Sequence, residues 1–241
     1  MSDQDREEHF AELAWLSSQE SDLTHTIATI VDVARATLGA DQAGVTLLRP
    51  GERLESVGPT SDEVRQADNF QHDLRQGPCV DAAFDGLYLV SEDLATDPRW
   101  PDWAPKAAAL GLRSVLSAGL RTAGGRRLGS LNLYGYRPRA FTERDLETAR
   151  LFAAHATAAL WAALREYNLQ LAMESRTVIG RAEGILMIRY GMDADQALAV
   201  LRRYSQDGNV KLRDLAESVV QHRGLPDDLL PVDGLAEAVL S

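Results

Sequence analysis

The sequence predicts an α+β module, one long helix and a small all-helical unit, in that order along the chain. Strand-like segments lie between residues 43 and 136, a stretch without proline follows at 142–190, and helical patterns continue to residue 223. Hairpins that lie between helices are typical of an antiparallel sheet with helices packed on one face. We therefore expect the opposite face of the sheet to be free to form a cavity.

The first module begins with a helix and a hairpin. Apolar residues recur at steps of three and four over 23–38, which predicts an amphipathic helix. Segments 43–49 and 53–57 have strand chemistry and flank a Pro-Gly turn, so they predict a hairpin. The polar stretch 60–76 is expected to hold a short helix, and 87–90 a short strand.

A second hairpin is predicted after a loop and a helix over 91–112. Its strands are 114–120 and 127–136, and the turn between them contains two adjacent glycines. In the second strand Leu131 and Leu133 share one face. The other face carries a mixed set: Ser130, Asn132 and Tyr134. One face of the sheet is thus expected to be apolar and the other half polar.

The long helix is predicted from Thr142, which has capping-box spacing with Asp145, to Tyr190. At ~1.5 Å per residue it would extend about 70 Å, beyond the span of a small domain. Five residues recur at intervals of seven: Leu164, Leu171, Val178, Ile185 and Met192. This heptad pattern predicts a coiled-coil-like helix that pairs with a second copy of the chain. The alternative is a helix that packs only on its own domain.

The C-terminal third is predicted to be all-helical. Gly191 ends the long helix, and Asp193 with Gln196 begins a second helix that reaches the turn at 207–209. A third helix follows and ends at Gly224. A unit of roughly 55 residues buries little apolar surface by itself, so we expect it to be stabilised by the long helix or by a second copy.

Composition and charge exclude several classes of protein. The chain has 241 residues, 45% of them hydrophobic, and a net charge of −11, which disfavours general affinity for double-stranded DNA. Residues 169–223 nevertheless carry 8 basic and 7 acidic side chains, against 17 and 25 in residues 1–168. A polyanion is therefore expected to bind the C-terminal third. No segment is apolar enough to span a membrane and the first residues are acidic, so we expect a cytoplasmic protein.

The residue patterns predict a protein that is not an enzyme. The sequence contains no GxSxG nucleophile elbow and no GxxxxGK[ST] phosphate loop. The single cysteine, Cys79, excludes an internal disulfide and a multi-thiolate metal site, and we expect no metal. Cys79 lies at the predicted start of a short helix, whose amides would favour the thiolate of an oxidant sensor. The alternative is a buried, inert thiol.

The first module resembles a GAF domain, a small-molecule sensory module, most closely of the actinobacterial kind. The resemblance rests on the segments GPCVDA, SVLSAGL and LGSLNLYGY and on the tryptophan-containing loop, and it covers residues 22–165. It implies a ligand cavity on the face of the sheet away from the terminal helices. The expected lining is Phe70, Cys79, Trp100, Trp103, Ser117, Asn132 and Tyr134. The cyclic-nucleotide signature NKxnFxxxDE does not occur, and the ligand is unknown. The same tryptophans could instead anchor loops in the core.

Residues 166–223 resemble an ANTAR domain, the RNA-binding output module of transcription antiterminators. The motifs AEGILM, LRRYS and LRDLAESVV follow one another at the family's spacing. The resemblance implies binding of a dual stem-loop RNA, as a dimer, through the following residues: Arg176, Arg181, Arg202, Arg203, Ser205, Asn209 and Lys211. It also implies an apolar core formed by Ile185, Leu186, Met187, Leu198, Leu201, Leu212, Leu215 and Val219. Glu183 departs from the family, which often has lysine there.

The sequence therefore predicts an RNA-binding antitermination regulator in which a GAF sensor controls an ANTAR output domain. The two domains are expected between an N-terminal extension, 1–21, and an acidic tail, 224–241. One alternative is a signalling protein whose ANTAR unit serves only dimerisation or protein docking. Another is the reduction of free methionine sulfoxide, which some GAF-fold proteins perform. That chemistry uses a resolving thiol, and the single cysteine argues against it.

Overall fold

The computed structural model describes residue 11 and residues 22–225. The described residues form two compact units, of which the first ends at Tyr167 and the second begins at Asn168. Each unit has its own apolar core. The expected N-terminal extension, apart from Ala11, and the part of the acidic tail from residue 226 onwards lie outside the described residues.

Strands and helices follow the order predicted from the sequence. The strands are β1 Gln42–Arg49, β2 Arg53–Val57, β3 Tyr88–Ser91, β4 Ser114–Arg121 and β5 Arg127–Gly135. The helices are α1 Leu23–Leu38, α2 Asp62–Leu74, α3 Pro78–Asp85, α4 Ala104–Ala109, α5 Glu143–Tyr190, α6 Ala194–Asp207 and α7 Leu212–His222. Both predicted hairpins, β1–β2 and β4–β5, are confirmed.

The five strands form one antiparallel sheet in the order β2-β1-β5-β4-β3. In its registers Thr46 of β1 lies opposite Ser130 of β5, and Ser117 of β4 lies opposite Asn132. Because side chains alternate along a strand, these polar residues all lie on one face of the sheet. Val45 of β1, Leu116 of β4 and Leu131 of β5 lie on the opposite face with other apolar residues of these strands.

The apolar face of the sheet packs against α1 and the first half of α5. Leu131 and Leu133 of β5 are buried there with Ile30 of α1 and Phe152 of α5. The predicted division of β5 into an apolar and a half-polar face is therefore confirmed. Burial of each such side chain contributes about 1.5 to 3 kcal/mol to folding, so this cluster is the main core of the first unit.

The half-polar face also carries helices, whereas the sequence predicted helices on one face only. Val64 and Ala67 of α2 are fully buried with residues of α4 and β4 in a second apolar cluster. Helix α3 approaches the sheet closely at Gly119, where an added Cβ would lie 2.6 Å from the Ala82 carbonyl oxygen. Short helices thus cover this face because their apolar residues and a glycine let them pack there.

Helix α5 runs without interruption from Glu143 to Tyr190, as predicted. Thr142 and Asp145 form the expected cap, because the Asp145 carboxylate accepts hydrogen bonds from the Thr142 amide, at 2.8 Å, and hydroxyl, at 2.7 Å. In the part of the chain that the structure describes, no helix is both long enough and apolar enough to cross a membrane.

Four of the five heptad residues of α5 and its end pack within the chain itself. Leu164 lies against the core of the first unit, whereas Val178, Ile185 and Met192 lie in or against the core of the second. These residues thus pack on two successive cores, and pairing of α5 with a second copy of the chain stays a prediction. The exposed large apolar residues of α5 are a different set: Leu151, Tyr167, Leu169, Met173, Met187 and Ile188.

The second unit packs α6 and α7 against the C-terminal part of α5. Leu186, Leu201, Leu215 and Val219 are buried, as the resemblance implied. Met187 was expected in this core but is 36% exposed, because it follows Leu186 on α5 and so points away from the other helices. The predicted cap of α6 is present as a complete capping box between Asp193 and Gln196, and Ile185 and Leu212 pack at the edge of the core.

Candidate functional site

A buried polar network fills the space between the half-polar face of the sheet and helices α2 and α3. Four of the residues expected to line a ligand pocket belong to it, and none of their side chains reaches the surface: Cys79, Ser117, Asn132 and Tyr134. Strand alternation points three of them at the helices, and Pro78 begins α3 so that Cys79 faces the sheet. The network has two connected parts.

Asp68 and Tyr134 form the first part. The Tyr134 hydroxyl donates a 2.6 Å hydrogen bond to Asp68 Oδ1, and the Ser56 hydroxyl donates to Oδ2 at 2.8 Å. Burial raises the pKa of Asp68 to about 6, although both hydrogen bonds oppose the increase. Gln71 donates through Nε2 to the Tyr134 hydroxyl at 3.1 Å and accepts through Oε1 from the Cys79 amide at 2.8 Å, which joins the two parts.

Cys79 and Asn132 form the second part. The Cys79 Sγ lies 3.1 Å from Thr46 Oγ1, which also accepts from Asn132 Nδ2 at 3.2 Å. Asn132 Oδ1 accepts in turn from the Ser117 hydroxyl at 3.0 Å. Burial, reinforced by the nearby Asp68 carboxylate, raises the pKa of Cys79 to about 12. The side chain is therefore a neutral thiol at neutral pH, which fits the buried, inert alternative.

The three aromatic residues expected in the pocket lie beside this network in the second apolar cluster. Trp103 is fully buried and donates from Nε1 to the Ala67 carbonyl oxygen at 2.9 Å. Trp100 meets it edge to face at 6.0 Å and donates to Asp81 Oδ2 at 2.9 Å. Phe70 packs at the edge of the same cluster. These contacts show both tryptophans anchoring the loop before α4, while their role in ligand binding stays a prediction.

A cavity of about 350 Å³ lies close to the network but is lined by residues that the sequence did not single out. Its walls come from the β1–β2 hairpin and the C-terminal end of α2, and we name it the hairpin cavity: Arg49, Arg53, Leu54, Glu55, His72, Asp73 and Arg75. Another cavity, of about 400 Å³, lies between α1, the β1–β2 hairpin and Tyr167 and is largely apolar. No sequence motif marks either cavity, because each forms only when separate elements pack.

His72 connects the hairpin cavity with the buried network. Its Nε2 lies 3.4 Å from Thr46 Oγ1 and 3.8 Å from Cys79 Sγ. Burial lowers the pKa of His72 to about 4, although the Asp73 carboxylate opposes the decrease. The ring is therefore neutral at neutral pH, and its charge does not add to that of the arginines around it.

The residues expected to contact RNA lie on three elements of the second unit. Arg176 and Arg181 are exposed on α5, and Arg202 and Arg203 are exposed on the C-terminal half of α6. Arg203 is the one of these four with a described ion pair, a contact of 3.6 Å with Asp207 one turn later that leaves its side chain 65% exposed.

The other three expected RNA contacts lie in or beside the turn between α6 and α7. The Ser205 hydroxyl donates to the Val210 carbonyl oxygen at 2.7 Å and so closes the turn. Asn209 has a left-handed backbone with φ of 48°, a conformation that asparagine tolerates better than most residues. Lys211 is exposed at the position before α7. The structure thus brings Ser205, Asn209 and Lys211 together on one turn.

Arg213 has a structural role that the sequence analysis missed. Its guanidinium contacts Glu217 at 2.9 Å on α7 and Glu174 at 3.3 Å on α5. The spacing of four residues between Arg213 and Glu217 could have predicted their ion pair from the sequence. The contact with Glu174 could not be predicted, because it depends on how the helices pack. Tyr204, next to Arg203, is partly buried against the core of the second unit.

Residues 22–225 contain no candidate metal site, because no three His, Cys, Asp or Glu side chains lie close enough together to hold an ion. The two parts of the molecule that remain as candidates are the buried network with the hairpin cavity, and the exposed cations of the second unit.

Several solved structures have a similar fold. The GAF3 domain of Slr1393 from Synechocystis, in its photoproduct state, is 15% identical, with a TM-score of 0.51 over 62% of this chain and 99% of that one. The GAF domain of the cyanobacteriochrome TePixJ is 19% identical, with a TM-score of 0.50 over 61% and 94%. The phytochrome photosensory module of Stigmatella aurantiaca is 10% identical, with a TM-score of 0.51 over 82% and 44%. At such low sequence identities, the similarity shows only that the fold is shared.

Family models match both units, although no curated protein matched the chain. The GAF domain model matches residues 20–160 and the ANTAR domain model matches residues 168–220. Both are sensory or regulatory domains, and neither match indicates an enzyme family. The antiparallel sheet with its helices, followed by the long helix and the three-helix core, agrees with both matches. The chain therefore belongs to the GAF domain family and has a GAF-ANTAR architecture.

Proposed function

We propose that this protein is an RNA-binding regulator of transcription antitermination, in which the GAF unit senses a small molecule and the ANTAR unit binds a dual stem-loop RNA. The observation that carries the proposal is the exposure of Arg202, Arg203, Asn209 and Lys211 on α6 and the turn that follows it. Arg202 and Arg203 are exposed because α6 packs its other face, with Val200 and Leu201, against the core, and Asn209 and Lys211 are exposed after the helix ends.

The chemistry of these residues suits single-stranded RNA loops. Arginine guanidinium planes stack on unpaired bases and donate hydrogen bonds to base edges and phosphates. Arg202 and Arg203 supply two such planes on adjacent positions of α6, while Lys211 supplies a flexible ammonium for a phosphate. Asn209 carries an amide that can donate to and accept from a base edge. Arg176 and Arg181 extend the cationic set along α5.

The sensory half of the proposal rests on the first unit. A ligand bound near Phe70, Trp100 and the buried network would alter how the helices pack against the sheet. Helix α5 contributes Phe152 to the core of the first unit and Leu186 to the core of the second. A change in α5 is therefore the proposed route by which ligand binding controls the RNA-binding unit, and we infer that the protein acts in the cytoplasm on nascent transcripts.

Filter binding with the full chain tests RNA recognition. A dual stem-loop RNA is compared with duplex DNA of equal charge, each over a series of salt concentrations. We expect tighter binding of the RNA, and we expect Arg202→Ala with Arg203→Ala to weaken RNA binding by about tenfold or more, since charged hydrogen bonds to phosphate or base contribute roughly 1.5 to 3 kcal/mol each. The slope of log affinity against log salt should fall by about 1 to 2.

A charge-matched control separates recognition from general electrostatics. Arg137→Ala with Arg144→Ala removes two exposed arginines from the first unit and should leave RNA affinity within about twofold of the wild type. Equal affinity and equal salt slopes for RNA and duplex DNA would contradict loop recognition. An equal loss in both double variants would contradict the assignment of Arg202 and Arg203.

We also infer that the active form is a homodimer paired through α5. Leu151, Leu169 and Met173 are each more than 60% exposed on this helix. Leu169 and Met173 belong to the same unit and are four residues, about one helical turn, apart, so they lie on one face. Light scattering of the chain, whose mass is 26.4 kDa, should therefore give about twice that mass.

A second candidate function is protein docking by the ANTAR unit without RNA. Ile188 is 89% exposed and Met187 is 36% exposed near the C-terminal end of α5, and Glu183 stands where many ANTAR sequences have a cation. Exposed apolar residues of this size are typical of protein contacts. Failure of RNA binding in the filter assay, together with loss of dimerisation in Ile188→Glu, would favour this function over the first.

A further inference from the structure

The hairpin cavity concentrates positive charge in a unit that is acidic as a whole. Three of the side chains that line it are arginines, Arg49 and Arg53 from the hairpin and Arg75 from the end of α2, against two carboxylates. By contrast, residues 1–168 carry 25 acidic and 17 basic side chains. The cavity of about 350 Å³ is within the range that small-molecule sites occupy.

Within the described residues, one of the three guanidinium groups forms an ion pair and two do not. Arg49 forms an ion pair with Glu55. No carboxylate among the described residues forms an ion pair with Arg53 or Arg75, and both side chains are exposed at the cavity. Arg75 has a left-handed backbone, with φ of 51°, at the residue that ends α2. This backbone turns the chain at the cavity wall, where Arg75 contacts the Phe84 ring at 5.9 Å.

More arginines reach the same end of the sheet. Arg127, at the start of β5, contacts the Phe84 ring at 5.4 Å and pairs with Glu52 of the β1–β2 turn at 3.3 Å. Arg121, at the end of β4, donates to the Phe84 carbonyl oxygen at 3.2 Å. These two arginines do not line the cavity, but they place further positive charge at the end of the sheet where it lies, which raises the local electrostatic potential.

We propose that the hairpin cavity binds a small organic anion that carries a phosphate or carboxylate group. Arginine guanidinium groups bind either group through paired N–H donors, which gives orientation as well as attraction. Arg53 and Arg75 contact the anion, and the Arg49–Glu55 pair forms a fixed side of the cavity. This assignment deepens the sensory role proposed above, because it names a ligand class and a place for it in the GAF unit.

His72 connects this site with the buried polar network. His72 lines the cavity, and its Nε2 contacts Thr46 and Cys79 of the buried network. An anion against the cavity side of the ring accepts a hydrogen bond only if the ring proton lies there, which leaves Nε2 as an acceptor toward the Thr46 hydroxyl. An anion bound in this way would therefore fix the tautomer of His72 and, with it, the direction of the hydrogen bond between Nε2 and the Thr46 hydroxyl.

Nuclear magnetic resonance titration of the isotope-labelled full chain tests the proposal. The probes are inorganic phosphate and glutarate, with 1,5-pentanediol as the uncharged analogue of glutarate, all in about 0.15 M salt to screen weak surface attraction. We expect saturable shifts of the amides of Arg53, His72 and Arg75 with at least one anion and none with the diol. Saturation by phosphate alone or by glutarate alone identifies which group the cavity recognises.

Variants decide whether the arginines are responsible. Arg53→Ala with Arg75→Ala should weaken anion binding by about tenfold or more, and Arg53→Gln alone provides a milder change if the double variant unfolds. The control is Arg65→Ala, on the same helix, because its guanidinium is already paired with Asp62 at 2.6 Å outside the cavity. The control should bind the anion as the wild type does.

Three results would overturn the proposal: no saturable shift with either anion up to about 20 mM, equal shifts with the diol, or unchanged affinity in both cavity variants. The filter-binding assay on RNA is independent of this test. Anion binding without RNA binding would leave the cavity site standing and remove the output function, and the reverse result would remove only the cavity site.

Discussion

The buried carboxylate of Asp68 makes a quantitative prediction about pH and stability. Asp68 accepts hydrogen bonds from Tyr134 and Ser56 in a fully buried position. In the Asp68→Asn variant the amide oxygen can accept from Tyr134, and the amide nitrogen can donate to the Ser56 hydroxyl oxygen. The variant thus keeps the shape and both contacts of the site but cannot ionise.

The magnitude follows from the difference between the folded and unfolded pKa values. Burial raises the pKa of Asp68 from 3.8 to about 6, so the folded protein holds this proton more tightly than the unfolded chain does. The stability that this group contributes is complete below pH 3.8 and is lost as the pH rises through 6. Between pH 7.5 and pH 5 the linkage relation gives a gain of about 1.4 kcal/mol in the free energy of unfolding.

His72 acts in the opposite direction over the same range. Its pKa is lowered from 6.5 to about 4, so acid protonates this residue in the unfolded chain first and destabilises the fold as the pH falls through 6.5. The pH dependence of the wild type alone therefore mixes two opposing contributions. The difference between the wild type and Asp68→Asn removes the His72 contribution, which both proteins share, and isolates that of Asp68.

Urea unfolding followed by tryptophan fluorescence supplies the measurement. The tryptophans among the described residues, Trp100, Trp103 and Trp161, lie in the GAF unit, so their signal reports on that unit. The wild type should gain about 1.4 kcal/mol over Asp68→Asn when the pH falls from 7.5 to 5. A gap between the two proteins that stays constant within about 0.3 kcal/mol, or that changes in favour of the variant, would refute the assignment of a raised pKa to Asp68.

Two pairs of substitutions test the packing. Gly119→Ala should destabilise the GAF unit by about 1 to 3 kcal/mol, because its Cβ would lie 2.6 Å from a backbone oxygen of α3, whereas Gly124→Ala in the open β4–β5 turn should change stability by less than about 1 kcal/mol in the same urea assay. Leu186→Ala should destabilise the ANTAR unit by about 2 to 5 kcal/mol, and Ile188→Ala, at an 89% exposed position, by less than about 0.5 kcal/mol, as measured by hydrogen exchange. Equal effects within either pair would contradict the packing described.

Local periodicity was sufficient to predict the elements of this fold. The alternation of Leu131 and Leu133 with polar neighbours assigned both faces of β5, and the absence of proline over 142–190 predicted the continuous α5. The heptad pattern was ambiguous, because a helix that packs against two successive cores presents apolar residues at nearly the same spacing as a coiled coil. Residues such as Val178 and Ile185 satisfy either arrangement.

The candidate site was only partly predictable. Polar residues on β4 and β5, such as Ser117 and Asn132, stood out because they interrupt apolar strands. The hairpin cavity did not, since Arg53 and Arg75 are ordinary exposed arginines in sequence and meet only through the pairing of β1 with β2 and the left-handed end of α2. The raised pKa of Cys79 could not be predicted from the sequence either. Desolvation depends on tertiary packing, and it outweighs the effect of the helix amides that the sequence suggested.

The Gln71 side chain both donates and accepts a hydrogen bond, and these two bonds limit which molecules can bind between the sheet, α2 and α3. A molecule that separates α2 from the strands breaks the bond of Gln71 to the Tyr134 hydroxyl, and one that separates α2 from α3 breaks its bond to the Cys79 amide. Each broken bond leaves a desolvated donor or acceptor that the incoming molecule must satisfy. A hydrocarbon ring offers these groups no hydrogen bond and would leave them unsatisfied, whereas a molecule with both a donor and an acceptor, like a carboxamide, could replace the bonds of Gln71.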